Sequence, residues 1–355
     1  MNASRPPIKV AVLGATGAVG QTFVRLLEGH AWFELAEVAA SERSAGKAYA
    51  EVTRWIEGDM PNAVAALTVK PCDPAAVQAP IVFSALDSNV AGEVEAAFAA
   101  AGRLVLSNAK NFRMEPDVPL VIPEVNADHL ALLDTQRARR GWTGGIVTNA
   151  NCAATMAAVA LAPLHAAYGA RRVFVATMQA VSGAGYPGVP SLDILGNVIP
   201  YIGDEEPKIE RELQKMLGVA LDGAVTAAPF AVSAHANRVA VENGHTVCLS
   251  VEFDRAPGVE EAAQLFRAWR GHAAVRGLPS APDVPLHYFD SDDRPQPRRD
   301  AMRGRGMTVS VGRLRRDPLF HLKFVAMGHN TIRGAAGGSI LNSELLVATG
   351  RAGAA

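Results

Sequence analysis

Residues 8–30, IKVAVLGATGAVGQTFVRLLEGH, contain the pattern that decides the fold. The apolar run at 8–13 predicts a buried strand, and apolar residues at helical spacing follow it after a turn. Between these elements stand Gly14, Gly17 and Gly20. A glycine-rich turn that opens a helix presents backbone N–H groups to a pyrophosphate, because glycine lets the ligand approach the main chain closely. The spacing favours a dinucleotide-binding unit, and a tight turn without a ligand is the alternative.

The residues after the second predicted strand indicate which dinucleotide is bound. The stretch FELAEVAAS ends near Ala40, about where a dinucleotide fold carries an acidic residue for the ribose hydroxyls of NAD. Ser41 stands there instead, and Arg43 and Ser44 follow closely. Hydroxyl groups and a cation suit a 2′-phosphate. The segment therefore favours NADP, with Glu42 as the contrary indication.

The order of predicted elements divides the chain in two. Up to residue 151, strands such as IVFSAL and RLVLSNA alternate with helix-like segments, which predicts a parallel, doubly wound sheet. Residues 152–329 contain strand-like stretches, among them TVCLSVEF and HLKFVAMGH, that indicate a mixed or largely antiparallel second sheet. A further helix is predicted within 330–355. We therefore predict an α/β protein with a Rossmann-like domain at 1–151 and an α+β domain at 152–329.

Composition and charge exclude several classes of function. The chain has 355 residues, of which 49% are hydrophobic and 19% charged, and this suits a well-packed globular protein. A formal net charge of −1 gives no broad attraction for nucleic acid or an anionic membrane. The start, MNASRPPIKV, lacks the apolar core of a secretion signal, and the apolar runs fall short of the ~18 to 20 residues that span a bilayer. We expect a cytoplasmic protein without nucleic-acid or membrane partners.

The three cysteines, Cys72, Cys152 and Cys248, are widely spaced and form no CxxC pair. This spacing argues against a disulfide framework and against a zinc site, so we expect no metal. Cys72 and Cys248 are assigned to structure, because their surroundings contain no group that would activate a thiol.

Cys152 differs from the other two because it stands in TNANCAAT, at the predicted junction of a strand and a helix. A helix N-terminus stabilises a thiolate and lowers the pKa of its thiol, which makes Cys152 a candidate nucleophile. The alternative is a small buried residue, which is how most free cysteines behave. Asn151 favours the nucleophile, since its amide would be able to donate to an oxyanion beside the sulfur.

A thiolate nucleophile needs a base, and His245 is the best candidate among the nine histidines. It follows the turn signal Asn243-Gly244 at the start of a predicted strand, seven residues beyond Arg238. A histidine that caps a hairpin is the alternative. His329 stays open as a residue near a cofactor.

Several further segments converge on one known pattern. The chain resembles aspartate-semialdehyde dehydrogenase, in the branch typical of archaea and fungi, in the stretches GATGAVGQ, SNAKNFRMEPDVPLVIPEVN, IVTNANCAAT, MQAVSGAGYPGVPSLDI, ENGHT and HNTIRGAAGGSILNSELL. The resemblance runs from about Val10 to Leu346. It implies a homodimer, or a dimer of dimers, that uses NADPH to reduce L-aspartyl 4-phosphate to L-aspartate 4-semialdehyde in lysine, threonine and methionine biosynthesis. The second domain would carry catalysis and dimerisation, and the helix within 330–355 would complete the NADP-binding domain.

The resemblance also implies a role for each matching residue. The implied catalytic residues are the nucleophile Cys152, the acid/base His245, Gln179, which orients the acyl group, and Asn151 beside the oxyanion. The residues implied for the substrate are Arg238 for the carboxylate, Glu205 for the amine, and Lys208, Arg113 and Asn108 for the phosphate. The residues implied for NADP(H) are Gly14, Thr16, Gly17, Ala18 and Val19 in the turn, Ser41 and Ser44 at the 2′-phosphate, and Asn330 near the nicotinamide. Spacing alone would make Glu205 and Lys208 a solvated pair on a charged helix.

The sequence departs from the family pattern beside the catalytic residues. Ala150 stands where the family has proline, Ala153 and Ala154 replace a serine or threonine, and Ala240 replaces the proline of RVPV. A related enzyme, malonyl-CoA reductase, also has alanine in place of the proline of RVPV. A reductase of another acyl phosphate or of a CoA thioester is therefore the alternative. The segment SNAKNFRM keeps the lysine and arginine expected around a phosphate, which favours the acyl phosphate. A non-catalytic dinucleotide-binding paralogue is a second alternative, and the retained cysteine, glutamine, arginine and histidine oppose it.

Overall fold

A computed structural model describes residues 6–352, and its N-terminal part forms a parallel sheet. The strands of this sheet are β1 (Ile8–Leu13), β2 (Phe33–Ala40), β3 (Lys70–Pro71), β4 (Ile81–Ser84), β5 (Leu104–Ser107), β6 (Leu120–Val121) and β7 (Gly145–Asn149). Their order is β3-β2-β1-β4-β5-β7-β6, and each neighbouring pair is parallel. The strand order reverses beside β1, which is where α/β sheets bind their ligands.

Helices cover both faces of this sheet. They are α1 (Ala18–Leu27), α2 (Tyr49–Val52), α3 (Asn62–Ala65), α4 (Ser88–Ala100), α5 (Pro123–Asn126) and α6 (Leu132–Arg140), with a 3-10 helix at Ala127–Ala131. Val12 and Phe83 pack in one core cluster with Phe23 of α1, whereas Val82 packs in another with Phe98 of α4. Alternate residues of a strand thus enter different cores, which explains the continuous apolar runs in the sequence. The predicted doubly wound α/β fold is confirmed.

A second sheet of seven strands follows, with mixed pairing. Its strands are β8 (Ala170–Gln179), β9 (Val198–Ile199), β12 (Ala231–Val239), β13 (His245–Phe253), β14 (Leu286–Tyr288), β15 (Val309–Arg316) and β16 (Leu322–Gly328), and β10 (Val219–Leu221) and β11 (Ala224–Thr226) form a separate hairpin. The order is β14-β15-β16-β13-β8-β12-β9. The pairs β12–β8 and β14–β15 are parallel and the others antiparallel, as predicted.

Helices cover one face of the second sheet. The helices of this part are α7 (Cys152–Tyr168), α8 (Ser191–Ile194), α9 (Glu205–Met216), α10 (Val259–Ala268) and α11 (Pro297–Asp300), with 3-10 helices at Val181–Ala184 and Ala273–Val275, and α12 (Gly337–Ala348) follows them in the chain. The apolar helix α7 packs on β13 and β16, between α9 and α10. On the opposite face, Phe174, Met178 and His235 remain partly or largely exposed in the single chain.

The C-terminal segment returns to the first sheet. A π-helical turn at Ile332–Ala336 precedes α12, so the helix predicted from the sequence consists of two pieces. Leu341 and Leu345 of α12 join the core cluster that contains Val10. The domain limits 1–151, 152–329 and 330–355 stay a prediction, and residues 1–5 and 353–355 lie outside the described part.

Two features are absent from the described residues, 6–352. No helix in this range has both the length and the apolarity needed to cross a membrane. Within the same range, no group of three histidine, cysteine or acidic side chains is arranged to hold a metal ion.

Candidate active site

Cys152 is the first residue of α7 and lies three residues beyond the end of β7, at the strand-to-helix turn that the sequence predicts. Asn151 caps the helix, because its Oδ1 accepts a hydrogen bond from the Ala154 N–H at 2.9 Å. The Cys152 Sγ lies 3.1 Å from Nε2 of His245. These two residues are 93 positions apart in the chain. The fold therefore creates the thiol–imidazole pair that the sequence analysis predicted.

His245 is the first residue of β13, and one of its ring nitrogens is hydrogen-bonded to the backbone. Its Nδ1 accepts a hydrogen bond from the Ala180 N–H at 3.0 Å, and Nε2 of Gln179 lies 3.3 Å from its Nε2. Gly183 lets the 3-10 helix at Val181–Ala184 approach the His245 ring closely. A Cβ at this position would stand 3.1 Å from Cε1 of His245 and 3.0 Å from Nη1 of Arg238. No sequence pattern indicates a role for Gly183, because the need for glycine arises from contacts with residues on two distant strands.

Burial decides the protonation of this pair in the folded chain. Burial raises the pKa of the Cys152 thiol and the Glu205 carboxylate raises it further, against the opposite effects of Arg113 and Arg238. Burial, followed by the charge of Arg238, lowers the pKa of His245 to about 3. The direction of the shift at Cys152, a partly exposed residue in the wall of the cleft described below, is opposite to the lowering predicted from the helix N-terminus. Desolvation penalises the thiolate more than the end of α7 stabilises it.

Glu205, the first residue of α9, accepts hydrogen bonds from two side-chain amides, one of them on the residue before Cys152. Its Oε1 accepts hydrogen bonds from Nδ2 of Asn151 at 2.7 Å and Nε2 of Gln179 at 2.9 Å. The Lys208 Nζ lies 3.5 Å from Oε2. The Asn151 amide expected beside an oxyanion is thus engaged by Glu205, while the Ala153 N–H lies against the sulfur. The predicted roles of Asn151, Gln179 and Glu205 toward a substrate stay predictions.

Arg238 is the penultimate residue of β12, where it pairs with Gln179 of β8. Its Nη1 donates to the Ala180 carbonyl oxygen at 2.7 Å, and the residue is 6% exposed. A guanidinium has five N–H donors in a plane, so most of them remain for another acceptor. A guanidinium with free donors in one plane binds a planar carboxylate with better geometry than the ammonium group of a lysine does.

Arg113 and Asn108 lie on the segment that follows β5. Nη1 of Arg113 pairs with Oε1 of Glu212 at 2.9 Å, and its Nη2 donates to the Asn108 carbonyl oxygen at 2.7 Å. The other Glu212 oxygen accepts from the Asn151 N–H at 2.6 Å. Nδ2 of Asn108 donates to the Ser84 carbonyl oxygen at 3.1 Å. Sequence reasoning missed Glu212, because its pairing joins residues 99 positions apart.

Most of these side chains line one cleft of about 440 Å³ that includes Cys152, whereas His245 and Glu212 are buried outside its wall. The predicted site residues in its wall are Val19, Asn108, Arg113, Asn151, Cys152, Gln179, Glu205, Lys208, Arg238 and Asn330. Lys110 is a further cation in the wall, and its Nζ lies 2.7 Å from Asp204 Oδ2. The cleft therefore offers groups for a carboxylate, an amine and a phosphate around one thiol.

A second cleft, of about 1180 Å³, opens at the glycine turn after β1. The predicted cofactor residues in its wall are Gly14, Thr16, Gly17 and Ser41. Gly14 has φ +70°, and a Cβ there would stand 2.6 Å from the Ala85 carbonyl oxygen. The turn therefore requires glycine and leaves a backbone-lined cradle at the start of α1. Such a cradle fits the pyrophosphate of a dinucleotide.

The second cleft also contains residues that are predicted to distinguish NADP from NAD. Ser41, Glu42 and Arg43 line it, and their exposed side chains are accessible to a ribose phosphate. Ser44 lies in the same turn, where its N–H donates to the Ser41 carbonyl oxygen at 2.9 Å, but it is not in the wall of the cleft. Cys72, assigned to structure from the sequence, also lines the cleft.

Asn330 is buried in the wall of the Cys152 cleft and joins two loops. Its Oδ1 accepts from the Gly244 N–H at 2.9 Å, and its Nδ2 donates to Ser182 Oγ at 2.8 Å. Val19 lines the cleft of Cys152, whereas Ala18 lines a neighbouring cavity together with Ser182. Asn330 thus holds the turn before His245, and its predicted contact with the nicotinamide stays a prediction.

Comparison with known proteins identifies the family. The model of the semialdehyde dehydrogenase NAD binding domain matches residues 9–133, and that of the semialdehyde dehydrogenase dimerisation domain matches residues 161–333. The aspartate-semialdehyde dehydrogenase of Methanothermobacter thermautotrophicus is 50% identical over 343 residues, which cover 96% of this chain and 99% of the relative. The chain belongs to the aspartate-semialdehyde dehydrogenase family.

Solved structures of aspartate-semialdehyde dehydrogenases agree with this membership. The Candida albicans structure with NADP has a TM-score of 0.89 and 41% identity, and the match covers 97% of this chain and 99% of that one. The Vibrio cholerae enzyme II in complex with ASA has a TM-score of 0.75 and 28% identity, with 97% and 99% covered. The predicted resemblance, two-domain fold and aspartate-semialdehyde dehydrogenase activity in amino-acid biosynthesis are confirmed.

Proposed function

We propose that this chain uses NADPH to reduce L-aspartyl 4-phosphate to L-aspartate 4-semialdehyde through a thioester on Cys152. The observation that carries the proposal is the 3.1 Å contact between Nε2 of the fully buried His245 and Sγ of Cys152, which lies in the wall of a cleft lined by Arg238, Lys208 and Arg113. A nucleophile and a proton-carrying imidazole thus stand among cations that suit an anionic substrate.

The chemistry follows from the position of the thiol. Attack of Cys152 Sγ on the acyl carbon releases phosphate and leaves a thioester, which accepts hydride far more readily than a carboxylate does. The bound nicotinamide supplies the hydride. His245 directs its Nε2 toward the sulfur, where it can exchange a proton with the reacting groups. Cys152 therefore divides one difficult reduction into two easier steps.

Three groups of residues would recognise the substrate. Arg238 offers a planar set of donors to the α-carboxylate. Glu205 holds Lys208 at its Oε2, and that oxygen is the one we assign to the substrate amine. Lys208, Lys110 and Arg113 contribute positive charge for the phosphate. Three cations in one wall favour an acyl phosphate over the CoA thioester of a malonyl-CoA reductase.

The alanines that depart from the family pattern bear on this choice. Ala153 and Ala154 are fully buried in the core around α7, so neither touches the cleft. Ala150 lines the cleft, and Ala240 is exposed beyond the end of β12. Only Ala150 is therefore placed to change the selection of the acyl group.

NADP is the proposed dinucleotide. The first domain matches a NAD binding domain, and the Candida albicans relative was solved with NADP. Ser41 and Arg43 at the rim of the nucleotide cleft support the 2′-phosphate, and Glu42 opposes it. Arg43→Ala should raise the KM for NADP⁺ by about 10-fold through loss of a charge-assisted hydrogen bond, with the KM for NAD⁺ unchanged. Equal effects on both dinucleotides would contradict this assignment.

The proposed assembly is a homodimer formed through the second sheet. The dimerisation-domain match covers this sheet, and its face around Phe174 and Met178 is not covered by the chain's own helices. A dimer of dimers and a cytoplasmic location stay predictions.

The reverse reaction tests the proposal most directly. The enzyme is mixed with L-aspartate 4-semialdehyde, phosphate and either NADP⁺ or NAD⁺, and the absorbance of the reduced nicotinamide is followed. We expect reduction that depends on phosphate and is faster with NADP⁺. Cys152→Ala should bind NADPH without turnover. Reduction with CoA and malonate semialdehyde, but none with phosphate, would overturn the proposed substrate.

A further inference from the structure

Helix α9 carries a row of charged side chains along one face. The row consists of Glu205, Lys208, Glu212 and Lys215. Intervals of three and four residues place side chains on the same side of a helix. The first two line the Cys152 cleft, whereas Glu212 and Lys215 are 2% and 5% exposed. Buried charges need partners, so the two buried members of the row bind groups beyond the cleft.

Lys215 uses its whole ammonium group on one stretch of backbone. Its Nζ donates to the carbonyl oxygens of Arg113 at 2.7 Å, Glu115 at 2.7 Å and Val118 at 2.8 Å. An ammonium group has three N–H donors, so all of them are engaged. Three carbonyl oxygens therefore share a single buried cation.

The segment that Lys215 binds has no regular secondary structure of its own. Residues 108–119 connect β5 to β6 and contain neither a helix nor a strand. Among the described residues, no turn or loop N–H donates to the carbonyl oxygens of Arg113 and Val118. Buried carbonyl groups are costly to leave unpaired. Lys215 thus supplies donors that the backbone of this segment does not.

Arg113 is attached to α9 at two points. Lys215 holds its backbone carbonyl, and one turn earlier Oε1 of Glu212 accepts from its Nη1 at 2.9 Å. The other oxygen of Glu212 accepts from the N–H of Asn151, the residue before Cys152, at 2.6 Å. Helix α9 therefore fixes Arg113 and the start of α7 relative to each other.

The function of this attachment rests on the proposed function, in which Arg113 binds the phosphate from the wall of the Cys152 cleft. We propose that Lys215 is a positioning residue for phosphate: its ammonium group holds the backbone of residues 113–118 and so fixes Arg113 in the cleft wall. Lys215 is not in that wall and acts through Arg113. It acts in its charged form, because a neutral amine has two N–H donors for three carbonyl oxygens.

The charge of Lys215 is accessible to a pH experiment. Burial lowers the pKa of Lys215 to about 8, although the carboxylates of Asp117, Glu115 and Glu212 favour the charged form. The other charged or titratable groups around it are Arg113, His129 on the 3-10 helix Ala127–Ala131, and Arg140 of α6, which pairs with Asp117. The amine is charged below this pKa and neutral above it, so phosphate binding should weaken as the pH rises through it.

Steady-state kinetics of the reverse reaction test the positioning role. Lys215→Met replaces the amine by an unbranched apolar side chain. We expect the KM for phosphate to rise by about 10-fold and the KM values for L-aspartate 4-semialdehyde and NADP⁺ to stay within about 2-fold, because Arg113 serves phosphate alone. An unchanged KM for phosphate, or an equal rise in all three values, would overturn the proposal. Wild-type turnover that does not depend on phosphate would instead overturn the proposed function.

The control is Arg140→Met, which removes another anchor of the same segment. Arg140 binds the side chain of Asp117 at 2.5 and 2.6 Å and does not touch the carbonyl oxygen of Arg113. We expect the KM for phosphate of this variant to stay within about 3-fold of the wild-type value. A rise equal to that of Lys215→Met would show that any loosening of the segment has this effect, and would contradict a specific role for Lys215.

A double variant tests whether Lys215 acts through Arg113. Residues that act as one unit give non-additive effects. In an Arg113→Met background, Lys215→Met should therefore change the KM for phosphate by less than about 2-fold. Two effects that multiply would show that Lys215 acts by another route.

A second variant, Lys215→Arg, keeps the positive charge and the N–H donors, and it serves if Lys215→Met does not fold. A guanidinium stays protonated where an amine with a lowered pKa does not. We expect the wild-type KM for phosphate to rise by about 10-fold from about pH 7.5 to about pH 9.5, while that of Lys215→Arg changes by less than about 2-fold. A wild-type KM that is constant over this range, or an equal rise in both proteins, would contradict the need for a charged Lys215.

Discussion

Gly334 lies directly against Cys152: a Cβ added at position 334 would stand 2.6 Å from the Cys152 Cβ and 2.9 Å from its Cα. Gly334 belongs to the π-helical turn Ile332–Ala336, which packs on α7. Single π-helical turns often occur at functional sites, and here the turn forms part of the wall beside the nucleophile.

Gly334→Ala should displace Cys152 from its position beside His245. Because the obstacle is backbone and Cβ, the added methyl group cannot be accommodated by rotating a side chain. We expect kcat to fall by about 10²-fold while the Kd for NADPH stays near the wild-type value. Gly92→Ala on α4 is the control, since its Cβ would meet only the Asn111 side chain, at 3.1 Å. Equal activity of the two variants would contradict the steric role of Gly334.

Alkylation of Cys152 by iodoacetamide should be slow at neutral pH and accelerate as the pH rises. Burial raises the pKa of this thiol, so the reactive thiolate is a minor species below that pKa. The rate should increase roughly tenfold per pH unit across this range. Cys152→Ala corrects for Cys72 and Cys248, whose pKa values burial also raises. A rate that is already constant at neutral pH would restore the lowered pKa expected from the helix N-terminus.

Glu124→Gln should destabilise the fold strongly. Glu124 holds Arg333 through two hydrogen bonds of 2.6 and 2.7 Å, and their side chains are 2% and 1% exposed. The substitution leaves a buried guanidinium without its counter-charge, which costs about 3–5 kcal/mol in free energy of unfolding. Denaturation by guanidinium chloride measures this change.

The control for the Glu124 variant is Asp292→Asn. Asp292 pairs with Arg313 at 3.4 Å, but its side chain is 99% exposed. Surface pairs contribute less than about 1 kcal/mol, so the control should change little. Similar losses in both variants would show that burial does not set the contribution of the Glu124 pair.

Met178→Asp should convert the proposed dimer to monomers. Met178 is 40% exposed on the uncovered face of the second sheet, where a carboxylate would have to be desolvated on association. Light scattering after gel filtration measures the mass. Leu221→Asp is the control, because Leu221 is 67% exposed on the separate β10–β11 hairpin. A Met178 variant that stays dimeric would exclude this face.

Much of the fold follows from local sequence patterns. The glycine turn after 8–13, the alternation of strands and helices and the mixed second sheet were all predicted, because apolar periodicity and glycine placement act over short distances. The C-terminal helix was predicted as one element, but it is interrupted at Ile332–Ala336. The interruption lies where the chain packs on Cys152, a contact between segments far apart in sequence.

The sequence by itself determined the nature of the site: a thiol at the start of a helix, a partner histidine and a set of cations. Only the tertiary structure decided how these groups behave. It engages Asn151 with Glu205, and it places Cys152 where desolvation and the Glu205 carboxylate raise the pKa of the thiol. It also places the Ala180 N–H against His245. Hydrogen bonding and desolvation depend on which distant groups meet, and no local pattern contains that information.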